Sequence, residues 1–209
     1  MKRVIVFCEG PTEETFVNKI LSPAFYDKQI FISARNFGGV SRYSIIKKHL
    51  TNLCKSDTSA YITTMLDYYG LPSDTPGKKY DVSGDIYQKV QYVEQCIGDD
   101  IKADNLLPNL IMHEFEALLF SRPEAFLTCG MPPKVVDDLC KIRHSFQTPE
   151  HINNSPDTAP SKRILSLYPR YSKIVDGYQI SSEIGLDTIC SECSHFAQWM
   201  KKLEDLSKV

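Results

Sequence analysis

Apolar runs alternate with amphipathic segments over roughly the first half of the chain. Three runs rich in β-branched, aliphatic and aromatic residues have the length of strands, and they cover residues 4–8, 29–34 and 60–66. The first is expected to be buried, and the third has the pattern of a strand buried on both faces. Each is followed by a segment whose apolar positions recur at the spacing of a helix with one buried face. This alternation predicts an α/β fold, in which helices cover both faces of a parallel sheet.

Three helices are predicted to follow these strands. Thr12 is the expected N-cap of the first helix, and Gly98 is expected to end the third. Residues 74–85, rich in Gly, Asp, Ser and Lys, are expected to form a solvated loop before the third helix. The apolar positions of the three helices are Phe16, Val17, Ile20 and Leu21, then Ile45, Ile46, Leu50 and Leu53, then Ile86, Val90, Val93 and Ile97.

The second half of the chain has a different pattern. A fourth strand is predicted over residues 106–112, although Pro108 fits only near its start or on a sheet edge. From Pro123 onward the pattern is helical and loop-rich, with a helix over 134–146, a loop over 148–160 and a last helix over about 186–206. We therefore expect an α/β domain over residues 1–122, with a helical C-terminal extension, residues 123–209, packed on it.

Composition narrows the class of protein. The 209 residues fit one domain, and 42% hydrophobic residues with a mean hydropathy of -0.26 argue against disorder and membrane insertion. Seven cysteines, an odd number mostly in apolar surroundings, are typical of reduced thiols, and no signal peptide is evident, so we expect a cytoplasmic protein. With a net charge of -2, a nucleic acid would have to be held by a local basic patch or through bound cations.

Carboxylates follow the predicted strands. Glu9 comes directly after the first strand, Asp67 ends the third, and Glu114 and Glu116 follow the fourth. The carboxyl ends of parallel strands meet at one edge of a sheet, where ligands bind in open α/β folds. Gathered carboxylates repel one another unless a divalent cation or a shared proton intervenes, and ligation by oxygen alone favours Mg²⁺ or Mn²⁺ over Zn²⁺. Taken singly, each acid is equally well explained as a helix-terminal or turn-capping residue.

Two sets of residues resemble known families. The segment Glu9-Gly10-x-Thr12-Glu13 between a strand and a helix, together with the later Leu66-Asp67, resembles the Toprim domain, the metal-binding fold of topoisomerases, primases and OLD-family nucleases. Nearly the whole chain, with its segments 66–72, 113–120, 159–164 and 184–186, resembles a bacterial family of unassigned function, domain of unknown function 4276, which is regarded as Toprim-like. The resemblance implies a central parallel sheet of about four strands and metal-dependent phosphodiester chemistry. By association in bacterial genomes it also implies a role in defence against phage, beside an ATPase encoded nearby.

One position departs from the Toprim pattern. Toprim domains usually carry two aspartates separated by one residue on the third strand, and here Tyr69 stands at the second place. Glu114 or Glu116 is expected to replace the missing ligand, with Glu114 favoured. Both carboxylates point the same way if residues 113–116 are extended, whereas only one reaches the metal if they are helical. Glu13, one turn from Glu9, is the expected extra ligand of a second ion, so the expected metal ligands are Glu9, Glu13, Asp67, Glu114 and Glu116.

The other expected roles complete the hypothesis of a Mg²⁺-dependent nuclease. Glu9 and Asp67 would hold the ion against a phosphate oxygen, and Lys162 and Arg163 at a helix start would neutralise the phosphate, with a solvated first turn as the alternative. His113 is either a proton carrier or a structural histidine. DNA is favoured over RNA as the substrate. The alternatives are a non-catalytic, degenerate Toprim module that binds nucleic acid or docks the ATPase, and an enzyme that hydrolyses a small phosphoester.

Overall fold

The computed structural model describes residues 1–39, 42–79, 84–153 and 156–208. Their contacts divide the chain into two compact units, the first made of Met1–Met112 with Leu203–Val209 and the second of His113–Lys202. The boundary between the two units, after Met112, lies ten residues before the predicted boundary between residues 1–122 and 123–209. That division into a domain and an extension stays a prediction.

A parallel five-stranded sheet forms the centre of the first unit. Its strands run in the order β2-β1-β3-β4, and β5 also pairs with β3. Every pairing is parallel, which confirms the predicted sheet. The strands are β1 (Lys2–Cys8), β2 (Ile30–Asn36), β3 (Ala60–Asp67), β4 (Leu106–Leu107) and β5 (Leu110–Ile111).

The fourth predicted strand is interrupted in the structure. Pro108 has no N–H to donate, so the ladder stops after β4 and resumes with β5. Side chains replace the lost backbone bonds: the Asn109 N–H donates to Thr64 Oγ1 at 3.0 Å, and the Leu110 N–H donates to Glu94 Oε1 at 2.8 Å. Because Glu94 is almost fully buried, this contact ties β5 firmly to the helix that carries Glu94.

The described part of the first unit contains α1 (Pro11–Phe16), which continues through a π-helical turn (Val17–Leu21) into α2 (Ser22–Ala24), then α3 (Tyr43–Ser56) and α4 (Ile86–Ile101), and near the C-terminus a 3-10 helix (Leu206–Lys208). The predicted N-cap at Thr12 is wrong, because Gly10 is the N-cap and Pro11 takes the first helical position, where its missing N–H has no cost. Of the predicted loop over 74–85, residues 74–79 form turns, and residues 80–83 lie outside the described residues.

The predicted end of α4 at Gly98 is also wrong. The helix runs on to Ile101 and ends at Lys102, which adopts the left-handed conformation with φ 54°. Asp100 in this extra turn accepts hydrogen bonds from Tyr43 Oη at 2.9 Å and from Lys47 Nζ at 2.8 Å. These contacts from α3 stabilise the extra turn, which helix propensity near Gly98 does not favour on its own.

One apolar cluster fastens α3 and α4 to the sheet. Buried side chains from both helices and from β1 and β3 meet there, and each is at most 7% exposed. Burial of this kind is worth about 1.5–3 kcal/mol per large side chain, so the carboxyl end of β3 is held in a rigid frame. Among the members of the cluster are Phe7, Ile46, Leu50, Ile62, Leu66, Val90 and Val93.

The second unit is helical and loop-rich, in agreement with the predicted pattern. Residues 148–160 contain two short 3-10 turns, Pro149–His151 and Pro156–Thr158, and residues 154–155 of this predicted loop lie outside the described residues. Among the described parts of the chain, no helix has both the length and the apolar character required to cross a bilayer. The helices are α5 (Phe115–Leu119), α6 (Pro133–His144), α7 (Pro160–Leu167), α8 (Val175–Ile184), α9 (Leu186–Glu192) and α10 (Ser194–Asp205), with a further 3-10 helix over Pro123–Cys129.

The last predicted helix is in fact two helices. The chain leaves helical geometry at Cys193, between α9 and α10. The Glu150 carboxylate is only 3% exposed and accepts the N–H groups of His195 at 3.1 Å and Phe196 at 2.9 Å. A distant acid thus satisfies the first N–H groups of α10, which makes a new helix start favourable at this point.

Glu150→Ala is expected to lower the free energy of unfolding by about 2 kcal/mol, because two buried N–H groups lose a charged acceptor. Urea unfolding followed by circular dichroism measures the loss. Glu183→Ala is the matched control, since the Glu183 side chain is 52% exposed in its pair with Arg122 and is worth less than about 1 kcal/mol. Equal losses for the two variants would contradict a capping role for Glu150.

Candidate active site

The ends of β1 and β3 bring Glu9 and Asp67 together. These strands pair in parallel, and the Glu9 N–H still donates to the Met65 carbonyl at 3.3 Å, just past the end of β1. The Glu9 side chain turns toward β3, where its Oε2 accepts the N–H of Asp67 at 3.2 Å. Two half-buried acids therefore lie side by side at the carboxyl edge of the sheet.

Gly70 leaves open space beside this pair of acids. The chain turns after β3, and the Asp67 carbonyl accepts the N–H of Leu71 at 3.1 Å. A Cβ atom at position 70 would lie 3.3 Å from Glu9 Oε1, 3.4 Å from Glu9 Oε2 and 3.4 Å from Asp67 Cβ. The missing side chain thus leaves the space of one methyl group beside both Glu9 oxygens.

Glu13 caps the N-terminus of its own helix, α1. It stands at the third position of α1, is 8% exposed, and its Oε2 accepts the Gly10 N–H at 3.0 Å. Burial, followed by the charges of Glu13 and Glu14, raises the pKa of the Cys8 thiol. This edge of the sheet is therefore electronegative, while the use of Glu13 as a ligand of a second ion stays a prediction.

Glu114 and Glu116 share a lysine within the second unit. Glu114 is the extended N-cap of α5 and Glu116 lies in its first turn, so residues 113–116 are neither wholly extended nor wholly helical. Lys173 Nζ lies 3.2 Å from Glu116 Oε1 and 4.0 Å from Glu114 Oε1. These two predicted strand-end acids therefore have a compensating base beside them. Their role as metal ligands stays a prediction.

The environment of Glu116 disfavours its charged form. The residue is only 2% exposed, and this burial raises its pKa to about 7, although Lys173 acts in the opposite direction. Tyr171 is 6% exposed, and burial followed by the charge of Glu116 raises the pKa of its hydroxyl. Within the described residues that hydroxyl has no hydrogen-bond partner. Burial thus shifts the pKa of Glu116 toward neutral pH, although an ammonium group lies 3.2 Å away.

The start of α7 is already engaged by an acid. The Ser161 N–H donates to Glu114 Oε2 at 2.9 Å, where the sequence predicts a phosphate. Arg163 Nε donates to the Thr158 carbonyl at 2.7 Å, while Lys162 is exposed to solvent. Of the two predicted cationic groups, Lys162 is thus the one that extends into solvent, and their action on a substrate stays a prediction.

His113 is buried in the second unit. Its side chain is 3% exposed, and burial, followed by the charge of His151, lowers its pKa to about 4. The imidazole is therefore neutral at physiological pH and has no proton to give as an imidazolium. Acceptance of a proton from a neighbouring group stays a prediction.

A divalent ion fits the Glu9 and Asp67 pair. Magnesium is usually bound through one or two carboxylates and otherwise keeps water or substrate oxygens, so two acids beside an open space at Gly70 form a suitable donor set. Within residues 1–39, 42–79, 84–153 and 156–208, no group of three or more His, Cys, Asp and Glu side chains is arranged to hold a metal. The candidate centre is accordingly a two-carboxylate site.

Sequence reasoning missed Gly70 and the Ser161 N–H, and it considered Lys173 only as a weaker candidate than Lys162 and Arg163 for neutralising a phosphate. Gly70 belongs to an ordinary Gly-Leu-Pro turn, and its closeness to Glu9 depends on the pairing of β1 with β3. The Ser161 N–H and the Lys173 ammonium reach Glu114 from positions 47 and 59 residues away along the chain. Position 160 gave the one local signal, since a proline at a helix start leaves the next N–H groups without partners.

Comparison with known proteins places the chain among two sets of relatives. Residues 8–204 match the model of a family described as Domain of unknown function (DUF4276). The C-terminal region of the OLD protein of Xanthomonas campestris pv. campestris is similar in structure over 100% of this chain and 97% of that chain, with 13% identity and a TM-score of 0.53. The C-terminal region of the Burkholderia pseudomallei OLD protein aligns over 98% and 99%, with 14% identity and a TM-score of 0.48. Among curated proteins, none matches the chain. The likeness to the Xanthomonas structure confirms the predicted Toprim-like fold.

Proposed function

Because the chain belongs to the DUF4276 family and shares the fold of an OLD C-terminal region, we propose that it is a Mg²⁺- or Mn²⁺-dependent nuclease whose ion is held by Glu9 and Asp67. One observation carries the proposal: the Glu9 carboxylate lies against the backbone of Asp67, beside the open position at Gly70. The contact supports an ion site at the edge where open α/β sheets bind their substrates, with Glu9 and Asp67 as its proposed oxygen ligands.

The two acids and their surroundings have distinct tasks in this proposal. Asp67 contributes a carboxylate, and its N–H orients the carboxylate of Glu9. Gly70 has no side chain that would crowd the Glu9 oxygens. When bound, a divalent ion supplies Lewis acidity toward the phosphate and activates water as the nucleophile. On a chain with a net charge of -2, the ion also offsets the repulsion between the acids and a polyanionic substrate.

Purified protein mixed with plasmid DNA, single-stranded DNA and RNA, each in Mg²⁺, Mn²⁺ or EDTA, tests the proposal. We expect cleavage in Mg²⁺ or Mn²⁺ and none in EDTA, with DNA as the better substrate. Bis(p-nitrophenyl) phosphate is a second substrate, which reports metal-dependent phosphodiester hydrolysis without any nucleic-acid binding. Intact substrates under all these conditions, also with the ATPase encoded nearby, would overturn it.

A non-catalytic module is the second candidate function. Tyr69 stands where Toprim domains usually have another aspartate, and Lys173 already neutralises Glu114 and Glu116. Both features favour a degenerate site that docks a partner or binds nucleic acid without cutting it. Binding of nucleic acid or of the ATPase, with no hydrolysis of any phosphodiester, would establish this function instead.

The role in defence against phage beside an ATPase is part of the same proposal and rests on the family resemblance. Co-purification of the chain with the product of a neighbouring ATPase gene tests the partnership, and infection of cells that express both tests the role. Protection that requires both genes, and that is lost when Asp67 is replaced by asparagine, is the expected result. Equal phage titres with and without the genes would contradict it.

Gly70→Ala is expected to weaken Mn²⁺ binding about tenfold, since the new methyl group crowds both Glu9 oxygens. The free energy of unfolding should change by less than about 1 kcal/mol, because Gly70 does not need a left-handed backbone conformation. Electron paramagnetic resonance of bound Mn²⁺ measures the affinity. Gly98→Ala, within α4, is the matched control and leaves the affinity unchanged. Unchanged binding by the Gly70 variant would show that the ion does not use this space.

A further inference from the structure

The loop that follows Asp67 carries an exposed aromatic ring and two ammonium groups. Tyr69 is 55% exposed, and Lys78 and Lys79 lie at the end of the same loop, within residues 68–79. Proteins that hold single-stranded nucleic acid combine aromatic faces, on which bases stack, with cationic side chains that follow the backbone. We propose that the Tyr69 ring is a stacking platform for an unpaired base, which makes single-stranded or frayed nucleic acid the substrate class of this site.

The ring of Tyr69 is held in place by its neighbours. It meets the ring of Tyr68 edge to face, with centroids 5.3 Å apart and an interplanar angle of 88°. The Lys78 ammonium lies 4.5 Å from the centroid of Tyr68 and 5.9 Å from that of Tyr69, and it donates a hydrogen bond to the Tyr68 carbonyl. A ring that is already ordered loses little conformational entropy when a base stacks on it.

Lys78 keeps its charge in this position. Burial lowers the pKa of its ammonium group to about 8, so most of the group is protonated at neutral pH. The attraction between this cation and the two tyrosine rings therefore persists under physiological conditions. Lys79, exposed beside it, adds a second positive charge on a chain that has no overall basic character. Within residues 68–79 the two lysines outnumber the single acid, Asp74, so the loop adds positive charge beside an otherwise electronegative edge.

The platform borders the Glu9 and Asp67 pair. Gly70, the residue after Tyr69, is the position whose Cβ would lie 3.3 Å from Glu9 Oε1. The turn is closed by the hydrogen bond from the Leu71 N–H to the Asp67 carbonyl. A base on the Tyr69 ring therefore belongs to a nucleotide close to the phosphate that meets the two acids. This placement rests on the proposed function, whereas stacking itself needs no metal ion.

The exposure of Tyr69 separates it from the packing tyrosines of the chain. Tyr43 and Tyr171 are each 6% exposed, and Tyr43 Oη donates to Asp100. A ring that is 55% exposed contributes little to the core and has area to offer a ligand. In a duplex both faces of each internal base are covered by neighbouring bases, so this surface accepts only a base that has left the stack.

The affinity of the protein for a short, fluorescently labelled single-stranded nucleic acid tests the proposed stacking. Fluorescence anisotropy measures this affinity at low salt, once in EDTA and once in Ca²⁺. Tyr69→Leu is expected to weaken binding about ten- to a hundredfold, the loss typical of one stacked base. Tyr69→Phe keeps the ring and should bind within about twofold of the unaltered protein, because stacking needs no hydroxyl. Tyr26→Leu is the matched control, since Tyr26 is 67% exposed but lies beyond α2, at the start of the loop that leads into β2.

Strands with one abasic position locate the stacked base. At one position, removal of the base should weaken binding to the unaltered protein and have no effect on Tyr69→Leu, because the two changes delete the same contact. Equal affinities of the unaltered protein and Tyr69→Leu, or no single-strand binding by the unaltered protein, would overturn the inference. Hydrolysis of bis(p-nitrophenyl) phosphate, which has no base, reports separately on the metal chemistry. Base stacking on Tyr69 without hydrolysis of this compound would support the stacking platform and contradict the nuclease proposal.

Discussion

Asp67→Asn is expected to lower Mg²⁺-dependent cleavage by about a thousandfold or more, and Glu9→Gln should have an effect of similar size. Each change replaces a charged ligand by a neutral amide, and about 4 kcal/mol of lost transition-state stabilisation corresponds to three orders of magnitude in rate. Neither change disturbs the local backbone, since glutamine at position 9 keeps an oxygen that accepts the Asp67 N–H. Initial rates on single-stranded DNA at saturating Mg²⁺ measure the effect.

Glu14→Gln is the matched control for these variants. Glu14 lies on the same helical turn as Glu13, and its Oε2 accepts a hydrogen bond from Asn36 Nδ2 at 3.1 Å. Its removal changes the charge at this edge of the sheet by the same amount but touches no proposed ligand, so the rate should stay within about threefold. Full activity of Asp67→Asn, together with inhibition by EDTA, would move the metal site away from the ends of β1 and β3.

Glu116→Gln is expected to remove a pH dependence of about 3 kcal/mol from the free energy of unfolding. The pKa of Glu116 is raised from 4.5 to about 7 by burial, so the folded state binds this proton more tightly than the unfolded state. The associated stability is fully present below about pH 4.5 and is lost as the pH rises through about 7. Relative to the unaltered protein, the variant should therefore gain about 3 kcal/mol between these pH values.

Urea unfolding in EDTA across this pH range measures the free energy of unfolding of the unaltered protein and of Glu116→Gln. Because other groups such as His113 titrate in both proteins, their contributions cancel in the difference. Lys173→Met is the companion variant. Its loss of stability should be greater at pH 8 than at pH 5, because the carboxylate of Glu116 then has no ammonium partner 3.2 Å away. Parallel pH profiles of the unaltered protein and Glu116→Gln would contradict the raised pKa. If the free energy of unfolding of the unaltered protein depends less on pH in Mg²⁺ than in EDTA, this would support Glu116 as a metal ligand.

Local sequence patterns were sufficient to predict the central sheet and the closeness of Glu9 and Asp67 at its carboxyl edge. The first three strands lie in runs rich in apolar residues with the length of strands, and Asp67 ends the third. Parallel pairing then brings the carboxyl ends of β1 and β3 together. The closeness of Glu9 to Asp67 therefore follows from the order of strands and helices, before any side-chain contact is known.

Contacts between distant parts of the chain decided the remainder. The break between α9 and α10 depends on Glu150, the extra turn of α4 on Tyr43 and Lys47, and the interruption at Pro108 is repaired by Glu94. Each of these side chains lies at least 16 residues from the group it contacts. Helix and strand propensities describe only neighbouring residues, and for that reason they placed these boundaries wrongly.

For this protein, the order of apolar and polar residues alone determined a parallel sheet with acids at its carboxyl edge, because strand and helix periodicities are local properties of the chain. Tertiary structure alone decided the surroundings of the candidate acids: in the first unit a position without a side chain at Gly70 beside Glu9, and in the second unit an ammonium group at Lys173 beside Glu116. The strength of a carboxylate as a ligand or a base depends on burial and on charges a few ångströms away, and neighbours along the sequence do not specify either.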